Sequence, residues 1–327
     1  MGGTHARAFA RLPDVKVVAV SSRSLAKAQT LAAEVGAEAT TDDAAIIADP
    51  RVDAIANTLP THLHKDFTIA ALQAGKPVLL EKPFALNVAE CDEILAVRDE
   101  TGTPLMLGHT LRFWPEYVTL VNYVHSGAIG RPLSAVAARL GTEPNWGSWF
   151  ADPAQSGGAV LDLMIHDLDV LNWIFGQPKT IDARGQQARP GLWNHVQALV
   201  DFGNAVAPDA VGTVEASHFY PKTHPFTMLL RVLCERGCAE MGFVAGSYTD
   251  PGAKVTLMAY DAERAFALPI APEDAGDAYE RQIAYFVDYA RGRVSLTRGT
   301  PEQARLAVAC SNAARLSLES GTIVAVG

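Results

Sequence analysis

The stretch MGGTHARAFARLPDVKVVAVSSRS, residues 1–24, decides how the chain is read. Two glycines lead into an Ala-rich, Arg-bearing helical pattern, and VKVVAV at residues 15–20 is the apolar, β-branched run of a buried strand. Glycine turn, helix, strand is the order that follows a dinucleotide phosphate-binding turn. In such a unit the G-x-G-x-x-G fingerprint joins the first strand to the first helix, and here only Gly2 can be its last glycine. The sequence therefore predicts that the first strand and the first two glycines are absent ahead of Met1, through a misassigned start, a chosen chain boundary or a real truncation. Taken literally, the chain is expected to bind the cofactor poorly and to fold less stably, because the lost strand is central in the usual order.

The fingerprint has a second marker, an acidic residue about 20 positions on that binds the ribose hydroxyls of NAD. From Gly2 that position is Ser22, directly after the strand, and no Asp or Glu lies between Asp14 and Glu34. The stretch reads Ser21-Ser22-Arg23-Ser24 instead. A carboxylate would repel a 2′-phosphate, whereas hydroxyls beside an arginine can hydrogen-bond it. Gly2, Ser22 and Arg23 are thus cofactor-binding candidates, and the expected cofactor is NADP in preference to NAD. A compatible plainer reading makes Ser24 a helix cap and Arg23 a solvated surface residue.

Working outward, short apolar runs alternate with helical periodicity as far as about Gly108. DAIANT at 53–58, PVLLE at 77–81 and PLMLG at 104–108 are buried strands separated by helices, the pattern of a parallel sheet covered on both faces. Beyond Arg112 the texture changes. Helices near 115–126 and 158–175 precede alternating strands near 179–188, 195–202, 210–219, 226–235, 238–244 and 254–260, with helices near 277–292 and 301–319 at the end. The expected fold is α/β, with a doubly wound parallel-sheet domain over residues 1–111 and an α/β domain with a mainly antiparallel open sheet over 112–327.

Composition narrows the class. The 327 residues are 49% hydrophobic and 19% charged, enough for two cores, with no run of roughly 20 apolar residues to span a membrane. A net charge of -9 without a basic block argues against nucleic acid. Cys91, Cys234, Cys238 and Cys310 are too few and scattered for a disulfide framework or a structural zinc site, and no basic and apolar leader opens the chain, so a cytoplasmic protein with reduced thiols is expected.

Two stretches carry chemistry. Glu81-Lys82-Pro83 follows the strand PVLL, which puts Lys82 at the carboxyl end of the sheet, where open α/β sheets bind ligands. In GGAVLDLMIHDLDVLNWIFG, residues 157–176, Asp162 and His166 are four apart and Asp169 three further, so all three share one helix face beside an apolar stripe of Leu161, Ile165 and Leu168. On spacing alone, His166 reads equally as a core histidine held by a carbonyl, and Asp162, His166 and Asp169 as ligands for a divalent metal.

MGGTHARAF, LPTHLH with Pro60 and His64, AALQAGKPVLLEKP and SGGAVLDLMIHDLDVL, in this order, together resemble the Gfo/Idh/MocA family of NAD(P)-dependent oxidoreductases over essentially the whole chain. The resemblance implies hydride transfer between nicotinamide and a carbonyl or hydroxyl carbon of a sugar, polyol or sugar derivative, without a metal. It implies His166 as the proton acceptor or donor at the reacting oxygen, Lys82 as the cation that polarises it, and Asp162 as the holder of a neighbouring hydroxyl. Pro60, His64, Glu81 and Lys82 are placed near the dinucleotide. Arg112 reaches substrate or cofactor, or else pins the two domains together. Trp146 and Trp149 suit a sugar face, or a core or subunit contact. A homodimer or homotetramer through the open sheet is expected. The rivals are a non-catalytic ligand sensor of the same family and a reductase of a non-sugar substrate.

Overall fold

The computed structural model describes every residue except 145, 146, 205, 247–249 and 251. The chain divides into two compact units, the first made of Met1–Ala85, Ala89–Phe113 and Gly276–Glu302, the second of Leu86–Val88, Trp114–Ala275 and Gln303–Gly327.

The first unit runs α1 (Gly2–Arg11), β1 (Ala19–Ser21), α2 (Leu25–Val35), β2 (Glu38–Thr40), α3 (Asp43–Ala48), β3 (Ile55–Asn57), α4 (His64–Gln73), β4 (Val78–Glu81), α5 (Val88–Thr101, entered from the second unit) and β5 (Leu105–Gly108). Local chemistry marks the boundaries. Ser24 caps α2 through the Lys27 amide, Gly36 ends that helix in the left-handed region at φ 70°, and Asp42 caps α3 through the Ala45 amide. β3, β4 and β5 form a parallel sheet with Ile55 opposite Val78 and Val78 opposite Leu105, and every residue of β4 and β5 is buried, as a sheet covered on both faces requires. β1 and β2 form a separate parallel pair, and β1 is not paired with β3 among the described residues.

The second unit continues with α6 (Pro115–His125), β6 (Pro132–Leu140), α7 (Pro153–Ser156), a π-helical turn (Val160–Met164) running directly into α8 (Ile165–Phe175), and β7 (Thr180–Arg189), β8 (Leu192–Asp201), β9 (Val211–Ser217), β10 (Phe226–Cys234), β11 (Gly237–Ala245), β12 (Lys254–Asp261) and β13 (Ala265–Ala267). Then come α9 (Ala278–Ala290), α10 (Pro301–Ser320) and β14 (Val324–Ala325). The strands make one nine-stranded sheet in the order β13-β12-β11-β10-β6-β9-β8-β7-β14, antiparallel except where β6 lies parallel to β9. Six of its strands lie where the sequence puts them. β6 is missed, because PLSAVAARL has neither the β-branched density nor the clean alternation of its neighbours, and its pairing with β9 and β10 is long-range. α8 packs on one face over β6 and β9. The other face carries Val136, Leu199, Val211, Leu233 and Val244, all exposed.

α9 departs from the sequence expectation, which runs the second domain unbroken to residue 327. Its Ile283 and Phe286 close a core with Ala8, Leu79, Met106 and Phe113, so Gly276–Glu302 belongs with the first unit. A segment distant in sequence supplies apolar surface that the parallel sheet needs covered.

Candidate active site

In the first unit the functional turn sits at the carboxyl end of β4. The Lys82 side chain is half-buried, and its backbone is gripped by buried neighbours. The Lys82 amide donates to Glu81 Oε2 at 3.1 Å, and Glu81 Oε1 lies 2.7 Å from His5 Nε2 on α1. Burial is the strongest influence on Glu81 and pushes its carboxyl up. The His5 hydrogen bond, with the charges of His5 and Lys82, outweighs it and holds Glu81 below the usual carboxylate range. Gly108 lets the next strand end approach this carboxylate, since a Cβ there would come within 3.2 Å of the Glu81 carboxyl carbon.

His64 holds the other side of the turn. Its Nδ1 is 2.8 Å from the Pro83 carbonyl oxygen and its Nε2 is 2.8 Å from that of Leu59. Burial holds the imidazole below its ordinary pKa, although both carbonyls and Glu81 pull the other way. The sequence assigns His64 and Glu81 to the cofactor. In the structure both ring nitrogens face backbone carbonyl oxygens, to one of which the neutral imidazole donates, and both carboxylate oxygens are engaged inside the unit, so their visible work is to fix the turn that carries Lys82. Arg112 is likewise buried, in a 3₁₀ turn over Thr110–Phe113.

The remaining cofactor candidates lie at the same kind of strand end or at a helix start. Gly2 opens α1, whose first turn has no acidic side chain, and a Cβ at Gly2 would stand 3.1 Å from Thr58 Oγ1 just past β3. Pro60 precedes a 3₁₀ turn over Thr61–Leu63. Ser22 follows β1 with its hydroxyl accepting the Ser24 amide at 3.3 Å, and Arg23 is exposed. A helix start with no acidic residue of its own in the first turn, packed close to a strand end, with hydroxyls and an arginine after β1, fits an anionic dinucleotide. Trp149 is half-buried, and Trp146 lies outside the described residues.

In the second unit the sequence expects one continuous helix over 158–175. The structure widens its start into the π turn that holds Asp162, while His166 stands in the first turn of α8. Such turns are enriched at functional sites. Asp162 and His166 are both half-buried, whereas Asp169, the third member of the expected face, is fully buried. Gly158 opens this segment at φ 63°, and a Cβ there would lie 2.7 Å from the Trp193 carbonyl oxygen, so both conformation and space demand glycine.

Beneath α8, Arg139 of β6 grips Asp167 with a fork, Nε to Oδ2 and Nη2 to Oδ1 at 3.0 Å each, and Nη2 also reaches Tyr117 at 3.3 Å. Burial works against the Arg139 charge, but the Asp167 carboxylate more than reverses it and the guanidinium stays charged. This pair fixes the residue next to His166. A second unanticipated contact is His218, just after β9, whose Nε2 lies 3.3 Å from Asp162 Oδ2. No motif announces Arg139 or His218, because their partners are far off in sequence. Among the described residues no group of three His, Cys, Asp or Glu side chains is disposed to hold a metal ion, and no helix is long and apolar enough to cross a membrane.

Comparison with known proteins identifies the family. Residues 1–109 match the GFO_IDH_MocA family, described as an oxidoreductase family with an NAD-binding Rossmann fold, and residues 117–240 match the GFO/IDH/MocA C-terminal domain. Inositol 2-dehydrogenase 2 of Mycolicibacterium vanbaalenii is 30% identical over 100% of this chain and 92% of its own length. The scyllo-inositol 2-dehydrogenase (NAD(+)) of Bacillus subtilis is 29% identical over 68% of this chain and 66% of its own. Among solved structures, GenD2 from gentamicin A biosynthesis in complex with NAD superposes with a TM-score of 0.84 at 24% identity, covering 100% of this chain and 93% of that one, which establishes the shared fold.

Proposed function

From the premise that the chain belongs to the Gfo/Idh/MocA family of oxidoreductases, we propose that it transfers hydride between a nicotinamide dinucleotide and a hydroxyl-bearing carbon of a polyol, sugar or sugar derivative. The observation that carries this reading is the half-buried pair of Asp162, on the widened turn, and His166, in the first turn of α8, anchored from below by a buried ion pair.

When bound, the nicotinamide supplies the hydride acceptor or donor. The protein's part is to manage the proton and the charge on oxygen. His166 takes the hydroxyl proton during oxidation and returns it during reduction, a role suited to an imidazole. The Lys82 ammonium is suited to stabilise negative charge growing on a substrate oxygen, and the Glu81 and His64 contacts hold its backbone still for that purpose. Asp162 accepts a hydrogen bond from an adjacent hydroxyl and so orients a polyhydroxylated substrate. The backbone at Gly2 and the turn at Pro60 would hold the dinucleotide phosphates, while Ser22 and Arg23 would hold the adenosine ribose and favour NADP. The inositol dehydrogenases among the relatives support a cyclic polyol as the first substrate to try.

The exposed apolar residues on the sheet face opposite α8 support a homo-oligomer formed through that face. Four free cysteines, with Cys310 pushed up to about 12 by burial, fit a protein kept in the cytoplasm. The test is a panel of cyclic polyols, aldoses and non-sugar alcohols, each with NAD and NADP, read by nicotinamide absorbance. Saturable turnover of a polyol or sugar is expected. Cofactor binding without turnover of any substrate would favour the sensor reading.

A further inference from the structure

We propose that His218 is a positioning residue for Asp162, an enclosed imidazole that holds the carboxylate in the orientation needed to receive a substrate hydroxyl. The inference rests on the reading of Asp162 as a substrate-binding group. It begins with strand alternation. Val214 and Ala216 of β9 point to the buried face that meets the π turn, and His218 follows on the same side with only 3% of its surface exposed. Phe150 closes over it edge-on, with ring centroids 5.3 Å apart.

The two ring nitrogens face different partners. Nδ1 lies 3.2 Å from the Thr142 carbonyl oxygen, which can only accept, so Nδ1 carries a proton. Nε2 is shut off from solvent and makes no hydrogen bond of good geometry within the protein, yet it stands 3.3 Å from Asp162 Oδ2. A bare Nε2 lone pair against a carboxylate would be repulsive. A proton between them removes the conflict, whether it is assigned to the ring or to the acid. His218 and Asp162 therefore act as one unit, with the histidine enclosed and the Asp162 side chain 19% exposed. That is the geometry of an orienting group behind a working one.

A purely structural role would be better served by phenylalanine, which fills the same space without burying a nitrogen that lacks a well-aligned partner. The carboxylate is the feature that makes histidine the better residue here. The turn that carries Asp162 packs directly against β8 and β9, the second of which leads into His218.

The experiment compares wild type, His218→Phe, His218→Gln and Asp162→Asn for kcat and KM on the best polyol, together with NADH affinity. His218→Phe should raise the polyol KM by about 10- to 100-fold, the loss expected for a hydrogen bond to a charged group, with a smaller change in kcat and unaltered NADH affinity. His218→Gln should recover most of the loss, and adding His218→Phe to Asp162→Asn should change little. Equal KM in wild type and His218→Phe, or a Gln variant as impaired as Phe with NADH affinity also falling, would overturn the proposal. Nitrogen-15 spectra of the histidines separate this failure from failure of the functional reading. If wild type turns over no polyol but the His218 Nε2 resonance moves in Asp162→Asn, the pairing stands and the substrate assignment fails. An unmoved resonance overturns the pairing itself.

Discussion

The two candidate clusters, one in each unit, are built in opposite ways. In the first unit the proposed working group is a lysine on a short turn after β4, and nearly all the precision comes from buried neighbours that grip the backbone: Glu81 on the Lys82 amide and His64 on the Pro83 carbonyl. In the second unit the proposed working pair, Asp162 and His166, sits on a helix, and the precision comes from side chains that grip side chains: Arg139 on Asp167 and His218 beside Asp162. A flexible lysine needs a fixed root and a free tip, because its charge must meet a developing oxyanion. An acid–base pair instead needs its ring and carboxylate planes fixed.

The sharpest way to break this comparison is to remove the working groups themselves. His166→Ala and Lys82→Ala should each lower kcat/KM by about 10²- to 10⁴-fold, the range for loss of a positioned proton-transfer or charge-stabilising group. NADH affinity, read by fluorescence titration, should stay close to wild type. Equal losses of binding and turnover would mean that these residues hold structure and nothing more.

The supports should then differ in kind. Arg139→Ala strands the Asp167 carboxylate in the interior and should cost about 3–5 kcal/mol of stability in denaturant unfolding. Replacing the pair together, Arg139→Met with Asp167→Leu, should recover much of that stability while leaving turnover impaired. A single variant that unfolds like wild type would show that the fork is not the anchor of α8.

His64 gives a smaller effect with a defined sign. Its folded pKa lies below the ordinary 6.5, so the unfolded chain takes up a proton that the folded chain refuses. Its contribution is complete above that ordinary value and declines as pH falls below it. His64→Gln should therefore flatten the fall of stability between neutral and mildly acidic pH. An unchanged slope would assign that pH dependence to other groups. The smallest expected change is Ser22→Asp, which should move the ratio of specificity constants toward NAD by about 10-fold, the worth of one charge-assisted hydrogen bond. A ratio that stays put would remove Ser22 from the ribose position.

What could be read from the chain follows from the range of the interactions. β3, β4 and β5 announce themselves because buried parallel strands are continuous apolar runs, and the sheet strands after residue 179 because they alternate. Lys82, Asp162 and His166 stand out because chemistry-bearing residues fall at a strand end and on one helix face. The π turn is invisible to periodicity, since a local widening leaves the spacing of Leu161, Ile165 and Leu168 unchanged, and only packing against β8 and β9 reveals it. Arg139 hides in a strand whose alanines suggest no strand at all. His218 gains meaning only beside Asp162. His64 shows the converse: a histidine after a strand invites a ligand, yet it is buried with both nitrogens turned toward backbone carbonyls.

The most direct test of the central claim is a titration of the wild-type chain with NADH and with NADPH, followed by nicotinamide fluorescence, in parallel with Lys82→Ala. Saturable binding of a reduced dinucleotide by both proteins, with NADPH the tighter ligand, is the predicted result. Absence of saturable binding of either dinucleotide by the wild-type chain would contradict its assignment as a working nicotinamide-dependent oxidoreductase.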